Sequence, residues 1–269
     1  MELYDAIFYR KSTRKYSNKK VTGPLMEEVK KISSNITYLN KELDIKAHVV
    51  DRGHLIHFLT GKKSKVKSSH YIVVTSNKGE NHLENIGFAV EEIVLQLTVL
   101  GLATCWLDCD LRRDDIIEFI ELEDSEYVEQ EENEEQEKNL QEPYALIAFG
   151  YPEKTEKLFR NEDDDIDRKS SNKICKRSDE KYSEIIKAVR VSPSIKNSQP
   201  WVLYNDIDGF SLYEEKQKKN INDMSRISMG IALRHLDIAC RKNEIHVTYE
   251  NLNKKNKIGK KYYISAILK

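Results

Sequence analysis

The sequence predicts an α+β protein in which two similar halves lie end to end in one chain. Three observations predict it. β-branched runs of strand length are interspersed with amphipathic or apolar runs of helix length. A glycine-led apolar segment, GFAVEEIVLQLTVLG from Gly87, aligns without a gap with GIALRHLDIACRKNE from Gly230. The elements around these segments recur in the same order, which suggests internal duplication. Chance likeness between amphipathic helices is the other explanation.

Residues 2–9 form a short helix with Leu3, Tyr4 and Ile7 on one side, running into a basic loop. PLMEEVKKISSNI (24–36) is a second helix, with Pro24 at a favoured first position and Leu25, Val29 and Ile32 along one face. HYIVVTS (70–76) is a strand. The apolar segment from Asn85 is a long helix that Gly101 ends, and LATCWL then leads as a loop into a short strand. PYALIAFGYP (143–152) is a buried strand closing on a glycine turn. In the second half, KYSEIIKAVRVSPS matches the helix at 24–36 in pattern, and WVLYNDIDGFSLYEE is a strand pair turning at Asp208-Gly209. MGIALRHLDIACRKN (229–243) is the second glycine-led helix, and KKYYISAIL (260–268) answers PYALIAFG. The halves are 1–159 and 177–269, with 160–176 as a linker. Within the first half, 121–142 is an acidic low-complexity insert, read as a solvated loop or frayed helix, or alternatively as an acidic docking surface.

With 269 residues the chain is long enough to bury a sizeable core, and 33% charged with 39% hydrophobic residues reads as a soluble globular protein. A net charge of −1 argues against general nucleic-acid binding. No apolar run is long enough to span a bilayer, and the N-terminus does not read as a secretory signal. Four cysteines (Cys105, Cys109, Cys175, Cys240) are too sparse for a disulfide framework and lack zinc-like spacing. Free thiols in the cytoplasm, and no metal, are the expectation.

Three stretches carry candidate chemistry. In RKSTR (10–14), Arg10 and Arg14 offer forked donors that can grip phosphate oxygens, Ser12 adds a hydroxyl, and Lys11 adds positive field. A solvated basic face would look the same. In SPSIKNSQPW (192–201), Pro193 and Pro200 restrict the backbone, so Ser192, Ser194, Asn197 and Gln199 are held where they can edge a polar planar ligand. A well-tied loop is the plainer reading, and Trp201 reads as a core ring more than a stacking partner. In GLATCWL (101–107), small residues let backbone amides approach a ligand closely, or else mark a helix end before a buried strand.

Together these stretches and the strand ALIAFGYP resemble the flavin-dependent nitroreductase family. In its ordinary members the basic element and the Pro–Ser–Asn–Gln–Pro–Trp element lie close together in one half-sized chain, and two chains form an intertwined dimer. Here the two motifs fall in different halves, which resembles the branch in which two half-units are fused into a pseudo-dimer. The resemblance implies a nitroreductase-like fold, with mixed and antiparallel sheets flanked by helices. It implies that Arg10, Lys11, Ser12 and Arg14 hold the phosphate and ribityl chain of FMN. Ser192, Pro193, Ser194 and Asn197 would approach from the other half. Leu102, Ala103 and Thr104 would line the ring with backbone groups, and Arg168 or Lys169 would complete the phosphate site. SSNITYLNKEL, at the place of the second motif in the first half, lacks its residues, so one FMN per chain is expected. NAD(P)H would be the transient reductant and a nitroaromatic, quinone or similar small molecule the acceptor, with no side chain acting as acid or nucleophile. A flavin-holding sensor without turnover and a noncatalytic interaction protein are the rival functions. The chain would be a monomer or pair again as a homodimer.

Overall fold

The computed structural model describes residues 1–61, 65–122, 140–161, 164, 166–217 and 222–269. Most of the acidic insert, 123–139, therefore lies outside the described residues. The first part of the chain runs α1 (Leu3–Tyr9), α2 (Pro24–Ser34), β1 (Ile45–Val50), α3 (Gly53–Thr60), β2 (His70–Ser76), α4 (His82–Val99), β3 (Ala103–Asp108), α5 (Arg113–Ile116) and β4 (Glu142–Gly150). The rest runs α6 (Ser171–Ile174), β5 (Cys175–Lys176), α7 (Ser183–Arg190), β6 (Trp201–Asp206), β7 (Gly209–Glu215), α8 (Asn222–Lys242), β8 (Val247–Glu250) and β9 (Lys260–Leu268).

Two sheets result. The first is antiparallel with order β1-β2-β4-β3; the second has order β5-β6-β7-β9-β8 and is mixed, because β5 pairs parallel to β6. Every residue of β2 is buried, as expected of a strand covered on both faces. Helices α4 and α8 pack against each other between the sheets, and their apolar faces carry the core across the molecule. Phe88 and Leu95 of α4 join the core under the second sheet, while Ile227 and Ile231 of α8 join the core under the first. A third cluster, including Val73, Leu146 and Ile56, seals the outer face of the first sheet.

The α+β class and the mixed and antiparallel sheets agree with the sequence reading. Several details differ. The long helices begin earlier than their apolar patterns suggest, at His82 and Asn222, because polar first turns carry no periodicity. The hairpin turns at Ile207-Asp208 rather than Asp208-Gly209: Gly209 already pairs with Asp206, and a Cβ there would fall on the Ala266 carbonyl oxygen. Strands β1 and β8 and helix α3 escaped notice, being short and weakly patterned. The presumed linker is structured in part: Ser171–Ile174 is helical and Cys175–Lys176 adds a sheet edge, because Ile174 and Cys175 bury completely. Among the described residues no helix is long and apolar enough to cross a membrane.

Candidate functional site

Helix α1 ends at Tyr9, and Arg10 leaves it with extended backbone (φ −58°, ψ 135°), carrying the basic loop along β3. Ser12 bridges to Thr104, and the Thr13 amide donates to the Thr104 carbonyl at 3.0 Å. The chain after β4 returns beside the same loop: Ser17 N–H donates to Tyr151 O at 2.9 Å, Glu153 N–H to Lys15 O at 3.0 Å, and Arg160 N–H to Tyr9 O at 2.8 Å. The last contact sets Arg160 next to Arg10.

The late motif is bolted down from the other side. Arg168 donates to Asn197 Oδ1 at 2.6 Å, and Asn197 Nδ2 donates to the Asp167 carbonyl at 2.8 Å. Gln199 N–H donates to Ser194 Oγ at 3.0 Å, and Ile195 N–H donates to Ser228 Oγ on α8 at 3.2 Å. Lys196, Asn197 and Gln199 all take left-handed backbone (φ 48°, 55° and 47°). Three such non-glycine residues within four positions cost about 1–3 kcal/mol each and persist only where the surroundings fix them.

These two constructions meet at a cluster of three arginines. Arg10 is 3% exposed, and its nearest acid is Glu91, 4.0 Å away. Burial, followed by the charge of Arg10, pushes Arg160 down to about 10 from the ordinary arginine range. Arg168 is also pushed down to about 10, by burial first and then by Arg10 and Arg160. Like charges are being held together in a partly dehydrated place, which disfavours their charged forms. Nearby polar atoms are left over: Arg160 Nη1, Arg168 Nε, Thr13 Oγ1, Thr104 Oγ1 and Ser192 Oγ are buried without a hydrogen-bond partner. Unmade bonds of this kind cost roughly 1–3 kcal/mol each, so a cluster of them asks for an explanation.

Beside this lies a cleft of about 550 Å³ including its open mouth. Ser12, Arg14, Trp106 and Leu107 form one wall; Pro193, Ser194, Ile195 and Lys196 form the second; Met224, Ile227, Ser228 and Ile231 of α8 form the third. Mostly apolar walls with a few polar groups are what a planar organic ligand requires. Below the cleft, Trp106 Nε1 donates to Glu91 Oε2 at 2.7 Å, and Glu91 Oε1 lies 3.0 Å from His235 Nε2. The carboxylate and the imidazole are both fully buried.

The sequence-predicted residues divide accordingly. Arg10 and Arg168 join the arginine cluster, with Asn197 held by Arg168. Ser12, Arg14, Pro193 and Ser194 line the cleft, and Arg14 is exposed there rather than clustered with Arg10. Lys11 pairs with Glu156 at 3.2 Å, and Lys169 is committed to Glu215 at 2.7 Å and to the Gln199 carbonyl at 2.9 Å. Leu102 and Ala103 are buried in the core, while Thr104 and Ser192 are buried with idle hydroxyls. Trp201 is fully buried among core residues. Sequence reasoning missed Arg160, taken for linker, and also Trp106, Glu91 and His235. It missed the α8 wall too, although Met224, Ile227, Ser228 and Ile231 follow helical spacing on one face.

The chain matches, over residues 2–240, the model of the family described as "Putative TM nitroreductase". It belongs to that nitroreductase family. No curated protein matches it significantly. A Thermotoga maritima structure described as a putative nitroreductase shares the fold at TM-score 0.62 with 19% identity, covering 100% of this chain and 94% of that one. Two shorter chains overlap part of it. One is a Bacteroides fragilis nitroreductase with bound FMN (TM-score 0.42, 16% identity, 62% of this chain and 98% of that one). The other is an FMN-dependent nitroreductase from Clostridium difficile (TM-score 0.39, 23% identity, 57% and 88%). Nitroreductases are oxidoreductases, so the chain is an enzyme of that class.

Proposed function

We infer that this nitroreductase binds one FMN and uses it to carry electrons from NAD(P)H to a small acceptor such as a nitroaromatic or quinone. The observation that carries the reading is the group of Arg10, Arg160 and Arg168, gathered in a partly dehydrated place beside an apolar slot, where Glu91, 4.0 Å from Arg10, is the one carboxylate within ion-pair distance of the three among the described residues. A phosphate dianion would match their charge and engage the idle guanidinium N–H groups. The residues present therefore fit the cofactor. Arg10, Arg160 and Arg168 would hold its phosphate, Ser12 and Thr104 its polar chain, and the walls formed by Trp106, Pro193 and Ile231 its ring. FMN supplies the two-electron chemistry between nicotinamide and acceptor. The protein binds, orients and dries the slot, and Arg14 at its edge would stabilise negative charge on the ring.

A single cofactor is supported by what stands on the other side of the helix pair. There, Asn85 accepts from Leu39 N–H at 2.8 Å and Asn40 N–H at 3.2 Å and donates to Asn40 O at 2.8 Å. Arg234, 1% exposed, donates to Thr37 O and to Phe88 O at 2.8 Å each. Asn85 is the gapless counterpart of Ser228, so residues 37–40 sit where the late motif sits on the working side. This exchange supports the reading of two fused half-units, residues 1–159 and 177–269.

The test is the visible spectrum of the purified protein, before and after NADH or NADPH, with an acceptor added last. Bound flavin that bleaches with reductant and recovers with acceptor is the expected result. Flavin that stays oxidised would favour a sensor, and a protein that takes up no FMN would refute the reading. Replacing Arg10 and Arg168 together with alanine should abolish retention.

A further inference from the structure

The cleft mouth carries charge that the phosphate site does not use. Lys196 is exposed, lines the cleft from the late lobe, and has no ion pair or hydrogen bond among the described residues. Arg14 faces it from the early lobe, exposed and equally unpaired. Among the described lining residues there is no carboxylate; the remaining polar groups are the hydroxyls of Ser12, Ser194 and Ser228 and the Trp106 indole. Asp108, just beyond Leu107, is the nearby acid whose charge feels Lys196.

An exposed lysine on a mobile loop would mean little, since such charges are hydrated and free to wander. Lys196 stands on backbone that is fixed. Its left-handed φ of 48° is trapped between the Ile195–Ser228 hydrogen bond on one side and the Asn197–Arg168 and Gln199–Ser194 bonds on the other. The ammonium therefore swings on its stem from a defined point at the rim of a slot with aromatic and aliphatic walls. Arg14 has a partner in the flavin reading. Lys196 has none.

We propose that Lys196 makes this cleft select substrates with a negative charge on a planar aromatic body. The proposal rests on the flavin reading for the reaction, though not for the recognition itself. The same chemistry could come from the acceptor, as an aromatic carboxylate or sulfonate, or from the phosphates of the nicotinamide nucleotide.

The probes are 4-nitrobenzoate and its uncharged isostere 4-nitrobenzamide. Calorimetric titration of the purified protein should show about fivefold tighter binding of the anion, the size of a partly screened charge pair. The preference should fall to near unity in Lys196→Met, reverse in Lys196→Glu, and shrink for wild type as salt rises to about 0.5 M. In turnover, the kcat/KM ratio for the two acceptors should follow the same order. A parallel comparison of NADPH with an uncharged N-benzyl dihydronicotinamide assigns the effect to the nucleotide if only that ratio moves. If neither ratio moves in Lys196→Met, the proposal is wrong. Flavin-loaded turnover that ignores the charge would overturn this proposal alone. A Lys196-dependent preference in a protein that binds no flavin would overturn the cofactor reading alone.

Discussion

Gly87 on α4 and Gly230 on α8 lie at the crossing of the two central helices, each against the other's backbone. A Cβ on Gly87 would fall on the Ile227 carbonyl oxygen and 3.0 Å from Ile231 N; one on Gly230 would fall on the Glu84 carbonyl oxygen and 2.7 Å from Phe88 N. Further along, Glu91 meets His235 and Glu92 meets Arg234 at 2.8 Å. In the gapless alignment Glu91 corresponds to Arg234 and Glu92 to His235, so counterparts swap places, which is what a local two-fold axis through the crossing produces.

The crossing leaves no room for a methyl group. Gly87→Ala or Gly230→Ala must push the helices apart along their whole contact, a cost at the top of the roughly 1–3 kcal/mol range for overpacked cores, or beyond it. Helix propensity would gain about 1 kcal/mol in the opposite direction, too little to offset it. Thermal melts should show a large loss in both variants, while alanine at the exposed left-handed Gly259 should cost far less. A neutral Gly230→Ala would refute the close crossing.

The arginine cluster should weaken the protein when no anion is bound. Because Arg160 and Arg168 have lowered pKa values in the fold, the penalty is fully present below about pH 10 and relieved as pH rises from there toward the ordinary arginine range. At neutral pH, inorganic phosphate should therefore raise the melting temperature. Arg160→Gln should melt no lower than wild type without phosphate, yet show a smaller phosphate-induced rise. Equal rises in the two proteins would remove Arg160 from the anion site.

Glu91 joins the two ends of the site. His235 Nδ1 donates to the Ala188 carbonyl at 2.9 Å, so one proton lies between Nε2 and Glu91 Oε1, while Glu91 Oε2 takes the Trp106 N–H. Glu91→Leu strands an imidazole, an indole N–H and Arg10 together, and about 3–5 kcal/mol of stability should go. Glu91→Gln can still accept from Trp106 and donate to a neutral His235, so it should cost much less. Urea denaturation of both variants gives the comparison; equal losses would show that only the shape of Glu91 matters.

Cofactor stoichiometry tests the filled side. Asn85 and Arg234 hold residues 37–40 with four hydrogen bonds at 2.8–3.2 Å, and Arg234 also donates to the Phe88 carbonyl at 2.8 Å and stacks on the Phe88 ring at 3.6 Å. A flavin cannot enter without breaking them. Flavin released by denaturation, measured against protein, should approach one per chain even at saturating FMN; a ratio near two would show that the segment yields.

By itself the sequence determined the α+β class, the long helices and most of the strands, because apolar periodicity and glycine positions are local signals. It also marked Arg10, Ser12, Pro193, Ser194 and Asn197, because both motifs are dense in short polar or forked side chains. Only the tertiary structure decided which cations share the partly buried cluster. Arg160 stands among residues with no pattern, and it reaches Arg10 through one backbone hydrogen bond to Tyr9. Likewise Lys11 and Lys169 look as suitable as Arg168 on paper, yet nearby glutamates neutralise them once the chain is folded. Charge and side-chain type are written along the chain, but the fold sets which charges are near which, how far each is dehydrated, and so what it can bind.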